Sequence, residues 1–156
     1  MRVVDLFLTP DGRSRAFDLL FNFDGRITRS SYWLSWLLWA IAYVALFILS
    51  FLLGWLPYLM ICLWLIVGLL ALNSNIAVGR KRLHDRGKSG WWLLPLYLGP
   101  TACEIAGRVS DARNVFSIVA FGLFAWTIIE LGLLPGTKGQ NEYGPDPTDL
   151  QAQTAA

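Results

Sequence analysis

Charge is what this sequence lacks. No Asp, Glu, Lys, Arg or His occurs from Ser30 to Gly79, and charged residues fill only 15% of the 156 positions, against about 25% in an ordinary soluble domain. That run excludes a soluble domain of this size. At about 1.5 Å per helical residue it would extend to about 75 Å, more than twice a hydrocarbon core of about 30 Å, so it must fold back and cross at least twice. Cysteine is nearly absent: Cys62 and Cys103 sit in different apolar stretches, which excludes a disulfide framework and leaves two free thiols expected. Histidine occurs once, as His84, and zinc favours clustered Cys and His ligands, so no metal and no cofactor is expected. The first 29 residues hold no continuous apolar region of signal-peptide type, and the first span is expected to serve as its own insertion signal.

What is present is an all-α integral membrane pattern of four transmembrane helices in a compact bundle. The uncharged run divides at Gly54-Trp55-Leu56-Pro57, because Pro lacks the amide proton that a continuing helix needs. The spacing predicts spans over about 32–53 and 58–78, joined as a tight antiparallel hairpin. A third span at about 91–106 contains Pro95 and Pro100 and is expected to be kinked; a fourth follows at about 115–134. Residues 1–29 read as a cytoplasmic amphipathic segment, 30–134 as the membrane domain with a basic loop at 79–90, and 135–156 as a Gly/Pro-rich cytoplasmic tail of turns with a flexible end.

The basic residues set the expected orientation. With four spans, five arginines before Ser30, five cations from Arg80 to Lys88, and Lys138 share one side, while only Arg108 and Arg113 lie opposite. Eleven against two makes the basic side cytoplasmic, with both termini inside a bacterial inner membrane. Aromatic rings agree: Tyr32, Trp33, Trp36, Trp91 and Trp92 fall at the inner interface, Trp55 and Tyr58 at the outer one.

Three stretches carry a resemblance. They are Phe23-Asp24-Gly25-Arg26-Ile27-Thr28-Arg29 with Tyr32-Trp33; Arg82-Leu83-His84-Asp85 with Gly87-Lys88-Ser89-Gly90-Trp91-Trp92; and Pro135-Gly136-Thr137 with Gly139, Asn141 and Tyr143-Gly144-Pro145-Asp146-Pro147. In order and spacing, over about residues 21–147, the chain resembles the domain of unknown function 805 family of bacterial inner-membrane proteins. The resemblance implies a small multi-span helical protein and supplies no catalytic residues. Glu142 stands where relatives often have a basic residue, and the polar segment Arg108 to Asn114 is longer than usual.

Gly87-Lys88-Ser89 looks like the end of a phosphate-binding loop, but Arg82 stands where that loop needs Gly, so helix punctuation is the better reading: Gly87 ends one helix and Ser89 caps the next. His84 and Asp85, with Asn73 and Asn75, are expected to form a structural polar cluster, since Asn73, Arg80 and His84 recur on one helical face that should point inward. Glu104 is placed to pair with Arg108, and Glu130 with Arg80, Lys81 or Lys88. Arg26, Arg29, Arg80, Lys81, Arg82, Arg86 and Lys88 are the candidate contacts for lipid phosphates or a partner. The expected function is therefore non-enzymatic: a module binding membrane lipids, a membrane protein partner or a second copy through its basic face, and no nucleic acid. The alternatives are a subunit of an oligomeric transporter or channel, and a lipid-modifying enzyme using His84 and Asp85.

Overall fold

The computed structural model describes residues 10–149; positions 1–9 of the expected amphipathic segment and 150–156 of the tail lie outside the described residues. Among these the elements are helical and no strand forms; a lone antiparallel bridge joins Asn141 and Gly144. The helices are α1 (Pro10–Phe21), α2 (Arg29–Leu52), α3 (Pro57–Asp85), α4 (Gly99–Val109) and α5 (Arg113–Ile128). A 3₁₀ turn at Gly90–Trp92 and a π turn at Leu94–Leu98 precede α4, and a second π turn, Ile129–Leu133, extends α5. Among the described residues three helices are long and apolar enough to cross a membrane: Arg29–Leu52, Pro57–Asp85 and Arg113–Leu133. The stretch expected as the third span runs as a 3₁₀ turn, a π turn and α4 in succession. The described residues form two compact units, one from positions up to 23 and 33–78, the other from 24–32 and 79 onward.

In the first unit, the polar and apolar positions are inverted relative to a water-soluble fold. Ser35 and Ser74 are buried, whereas Phe47, Phe51, Tyr58 and Leu69 are exposed, Phe51 by 85%. A surface this apolar suits lipid, not water. Within the first unit α3 buries Met60 and, nearer the end of that part, Ala71, Ser74, Ala77 and Val78, the last four spaced by three and four. These are mostly small side chains, which let helix backbones approach closely. The Trp39 indole donates to the Ser74 hydroxyl at 2.9 Å, and Trp64 donates to Ser50 at 2.9 Å. Ser74, not its neighbour Asn73, therefore fills the buried polar position. Asn73 is exposed and Asn75 donates to Ala71 O within its own helix at 2.9 Å, so the inward stripe expected through Asn73 is corrected to one set by small residues.

In the second unit, sequence punctuation does what it should. Gly87, at φ +66, closes α3: its amide donates to His84 O at 3.0 Å and the Lys88 amide to Leu83 O at 2.8 Å, the paired pattern of a left-handed helix end. Ser89 then caps the next turn, accepting from the Trp91 amide. Pro100 cannot donate to Leu96 O, the carbonyl four residues before it. The buried Thr127 hydroxyl of α5 lies 2.9 Å from Leu96 O and 2.9 Å from Leu123 O, offering its hydrogen to an acceptor that the proline left unmatched.

Candidate functional site

The chemistry gathers where the end of α3 meets the segment 24–29 and the chain after α5. A helix leaves its last carbonyls without intrahelical donors, and cations are favoured at that end. Here arginines supply the donors. Arg82, fully buried, donates through Nε to Leu131 O at 2.8 Å, through Nη2 to Leu134 O, and through Nη1 to Ile27 O at 3.4 Å and to Asp85. Arg29 donates to Leu133 O at 3.1 Å and Arg86 to Pro135 O at 2.6 Å. Arg26, its side chain 1% exposed, donates to the carbonyls of Thr137, Gly139 and Gly144. Four arginines thus engage seven carbonyls between positions 131 and 144.

Two carboxylates balance the cluster. Asp85 lies between Arg26, at 3.1 Å, and Arg82; Glu130 lies between Arg86 at 3.2 Å and Lys88 at 2.9 Å. Opposing hydrogen-bonded cations hold the paired charges at a burial that neither carboxylate would tolerate alone.

The tail is bound to the end of α3 by a second set of contacts. The Thr137 amide and hydroxyl both donate to Asp85 O, at 2.8 and 3.0 Å, and the Asn141 side chain donates to His84 O at 3.0 Å. Tyr143 stacks on the His84 ring with centroids 4.0 Å apart and planes within 10°. The imidazole is also hydrogen-bonded to the Gly25 backbone, while Nδ1 is buried without a partner among the described residues. Asp146 accepts from the Gly139 amide at 3.0 Å and from Thr148. Those donors, the Thr148 hydroxyl first, hold its carboxyl below the usual carboxylate range. Gly136 passes so close to Asp85 that a Cβ there would overlap the carboxylate.

The sequence candidates divide accordingly. Arg26, Arg82, Arg86 and Lys88 come together with His84 and Asp85, and their donors are turned to backbone carbonyls and carboxylates. Lys81 is buried. Arg29 is exposed, and Arg80 is 42% exposed at its side chain, 3.9 Å from Asp24. Asn73 and Asn75 lie in the first unit. Glu130 pairs with Lys88, as one of three expected partners, and with Arg86, which was not among them; no ion pair among the described residues joins Glu104 to Arg108. Cys62 and Cys103 are free thiols. Among the described residues no three of His, Cys, Asp and Glu converge as a metal site. Sequence reasoning missed Thr137, Asn141 and Tyr143 as partners of the helix end. Their signal was present in the three stretches that carry the resemblance, which the fold brings onto one cluster.

Comparison with known proteins agrees. The chain is 32% identical over 142 residues to "Uncharacterized protein YiiR" of Escherichia coli strain K12, covering 85% of this chain and 90% of the relative. It is 32% identical over 128 residues to "Inner membrane protein YhaH" of the same strain, covering 81% and 87%. No solved structure matches. Residues 20–145, which include the three stretches except Asp146 and Pro147 and the whole arginine cluster, match the family described as "Protein of unknown function (DUF805)", and the chain belongs to that family.

Proposed function

We propose that this chain is a multi-pass protein of the bacterial inner membrane and works there as a non-catalytic module that binds anionic lipid through its basic cytoplasmic face. The observation that carries the reading is which cations remain outward once the arginine cluster is built. Arg29 and Lys138 are exposed, and Arg80 is half-exposed against Gly90, the residue before Trp91, which is 77% exposed. Cations beside an anionic leaflet contribute about 1 kcal/mol each, and tryptophan favours headgroup depth. The relative named as an inner membrane protein supports the location.

Four crossings with both termini inside fit the same reading. Three apolar helices are joined by a fourth helical stretch, Gly90 to Val109, whose proline-freed carbonyl is satisfied by Thr127 as a membrane interior requires. The contacts Trp39–Ser74 and Ser50–Trp64 pair early residues of α2 with late ones of α3 and the reverse, which supports an antiparallel hairpin. The test is retention of phospholipid by the full chain through gentle detergent extraction. Phosphatidylglycerol should be retained over phosphatidylcholine, and less so as salt rises, because exposed charges are largely screened beyond about 10 Å at about 0.1 M. Equal retention of both lipids at every salt concentration would remove the reading.

A further inference from the structure

A cavity of about 200 Å³ lies between the start of α2 and the tail, with Thr28, Arg29, Arg82, Asp85, Lys138 and Asp146 on its walls. The cations on its walls, Arg29, Arg82 and Lys138, outnumber the two carboxylates, both of which are already engaged. Each oxygen of Asp85 already accepts, one from Arg26 and the other from Arg82. Each oxygen of Asp146 also accepts, from the Gly139 amide and from Thr148. On the donor side, a guanidinium has five N–H groups. Arg82 meets four acceptors, Leu131 O, Ile27 O, Leu134 O and Asp85, which leaves one hydrogen on Nη2. Arg29 meets Leu133 O, and Lys138 makes no ion pair among the described residues. The complement of such a site is a group that only accepts and carries negative charge.

We infer that this cavity binds a phosphate group, held by Arg29 and Lys138 with the spare Arg82 hydrogen completing the set. Phosphate presents several acceptor oxygens and no obligatory donor, and it takes guanidinium hydrogens in parallel pairs. The inference rests on the lipid reading above and narrows it from a basic face to one cavity. A lipid headgroup and free inorganic phosphate offer the same chemistry, so the experiment separates them.

The full chain in detergent is titrated, with native mass spectrometry as the readout, against phosphatidylglycerol, against diacylglycerol, which lacks the phosphate, and against inorganic phosphate. Phosphatidylglycerol should bind and diacylglycerol should not. Lys138→Gln should weaken binding about fivefold, the effect of about one cation near an anionic headgroup. Arg29→Gln should weaken it further; because Arg29 also holds Leu133 O, Lys138→Gln remains the informative variant if Arg29→Gln fails to fold. Arg80→Gln removes a cation of the basic face that does not line the cavity and should weaken binding less than Lys138→Gln does. Inorganic phosphate binding without phosphatidylglycerol binding, lost in Lys138→Gln, would keep the phosphate site and remove the lipid reading. Phosphatidylglycerol binding that is indifferent to Lys138→Gln, or equally sensitive to Arg80→Gln, would overturn the cavity and leave the lipid reading standing. Binding of neither would overturn both.

Discussion

Arg82 and Arg80 carry the same charge two residues apart, yet one is fully buried with four acceptors and the other is half-exposed with a carboxylate 3.9 Å away. Position on the helix, not residue type, decides which arginine builds the fold. A lysine at 82 would keep the charge and lose the fork that spans Leu131, Leu134 and Asp85 at once. His84 is the other residue whose role its surroundings define. Its ring stacks on Tyr143 and bonds the Gly25 backbone, so His84→Ala should cost about 1–3 kcal/mol in thermal unfolding, from the lost stack and the unmatched polar group. His84→Phe should recover part of that by keeping the ring. Full stability in His84→Ala would remove the structural role. Asp146 gives a pH dependence. A carboxyl that folding makes more acidic adds stability above its unfolded pKa and loses it as pH falls through its folded value. The 139–148 turn should therefore hold at neutral pH and loosen only below the carboxylate range, which amide exchange at Gly139 and Thr148 would report. Loosening near the range of histidine would assign it to another group.

At the scale of elements, the connections matter as much as the helices. The second π turn directs the carbonyls of Leu131, Leu133 and Leu134 to arginines, and the tail then runs against the end of α3 with no spare volume at Gly136. Gly136→Ala should push Asp85 off its two arginines and lower stability by about 1–3 kcal/mol, the scale of overpacking. Gly122→Ala, where a Cβ meets nothing within 4 Å, should have no such effect. Equal melting of the two variants would show that Asp85 is not held tightly. The helix ends at Gly87 and Ser89 and the Gly-Pro turn before α3 were legible in the sequence, because those residues have few other conformational uses. The arginine contacts were not, since their acceptors are backbone carbonyls, which every residue has and no sequence pattern marks. Ser74 was hidden for a related reason: a small serine beside two asparagines is the weaker polar signal but the better fit to a tight helix contact.

At the scale of the whole molecule, the uncharged run made a membrane protein legible from composition alone, and the eleven-to-two division of basic residues sets the orientation to be expected. Reporters fused after Leu150 should read as cytoplasmic and those inserted at Ser110 as periplasmic; a cytoplasmic signal at Ser110 would mean that the stretch 90–109 does not cross. What composition could not reveal is that many of the cations expected to orient the chain also close it on itself. That double use has a temporal side. The donors stand at positions 26, 29, 82 and 86, and the seven carbonyls they engage stand between 131 and 144, so every one of those acceptors is synthesised after its donor. Until the last apolar helix has been made, the guanidiniums that will be buried have only Asp85, the Ile27 carbonyl, water or lipid phosphate as acceptors. The cluster therefore closes last, and a chain that stops short of its final turns carries unmatched cations at the place where a complete one is sealed.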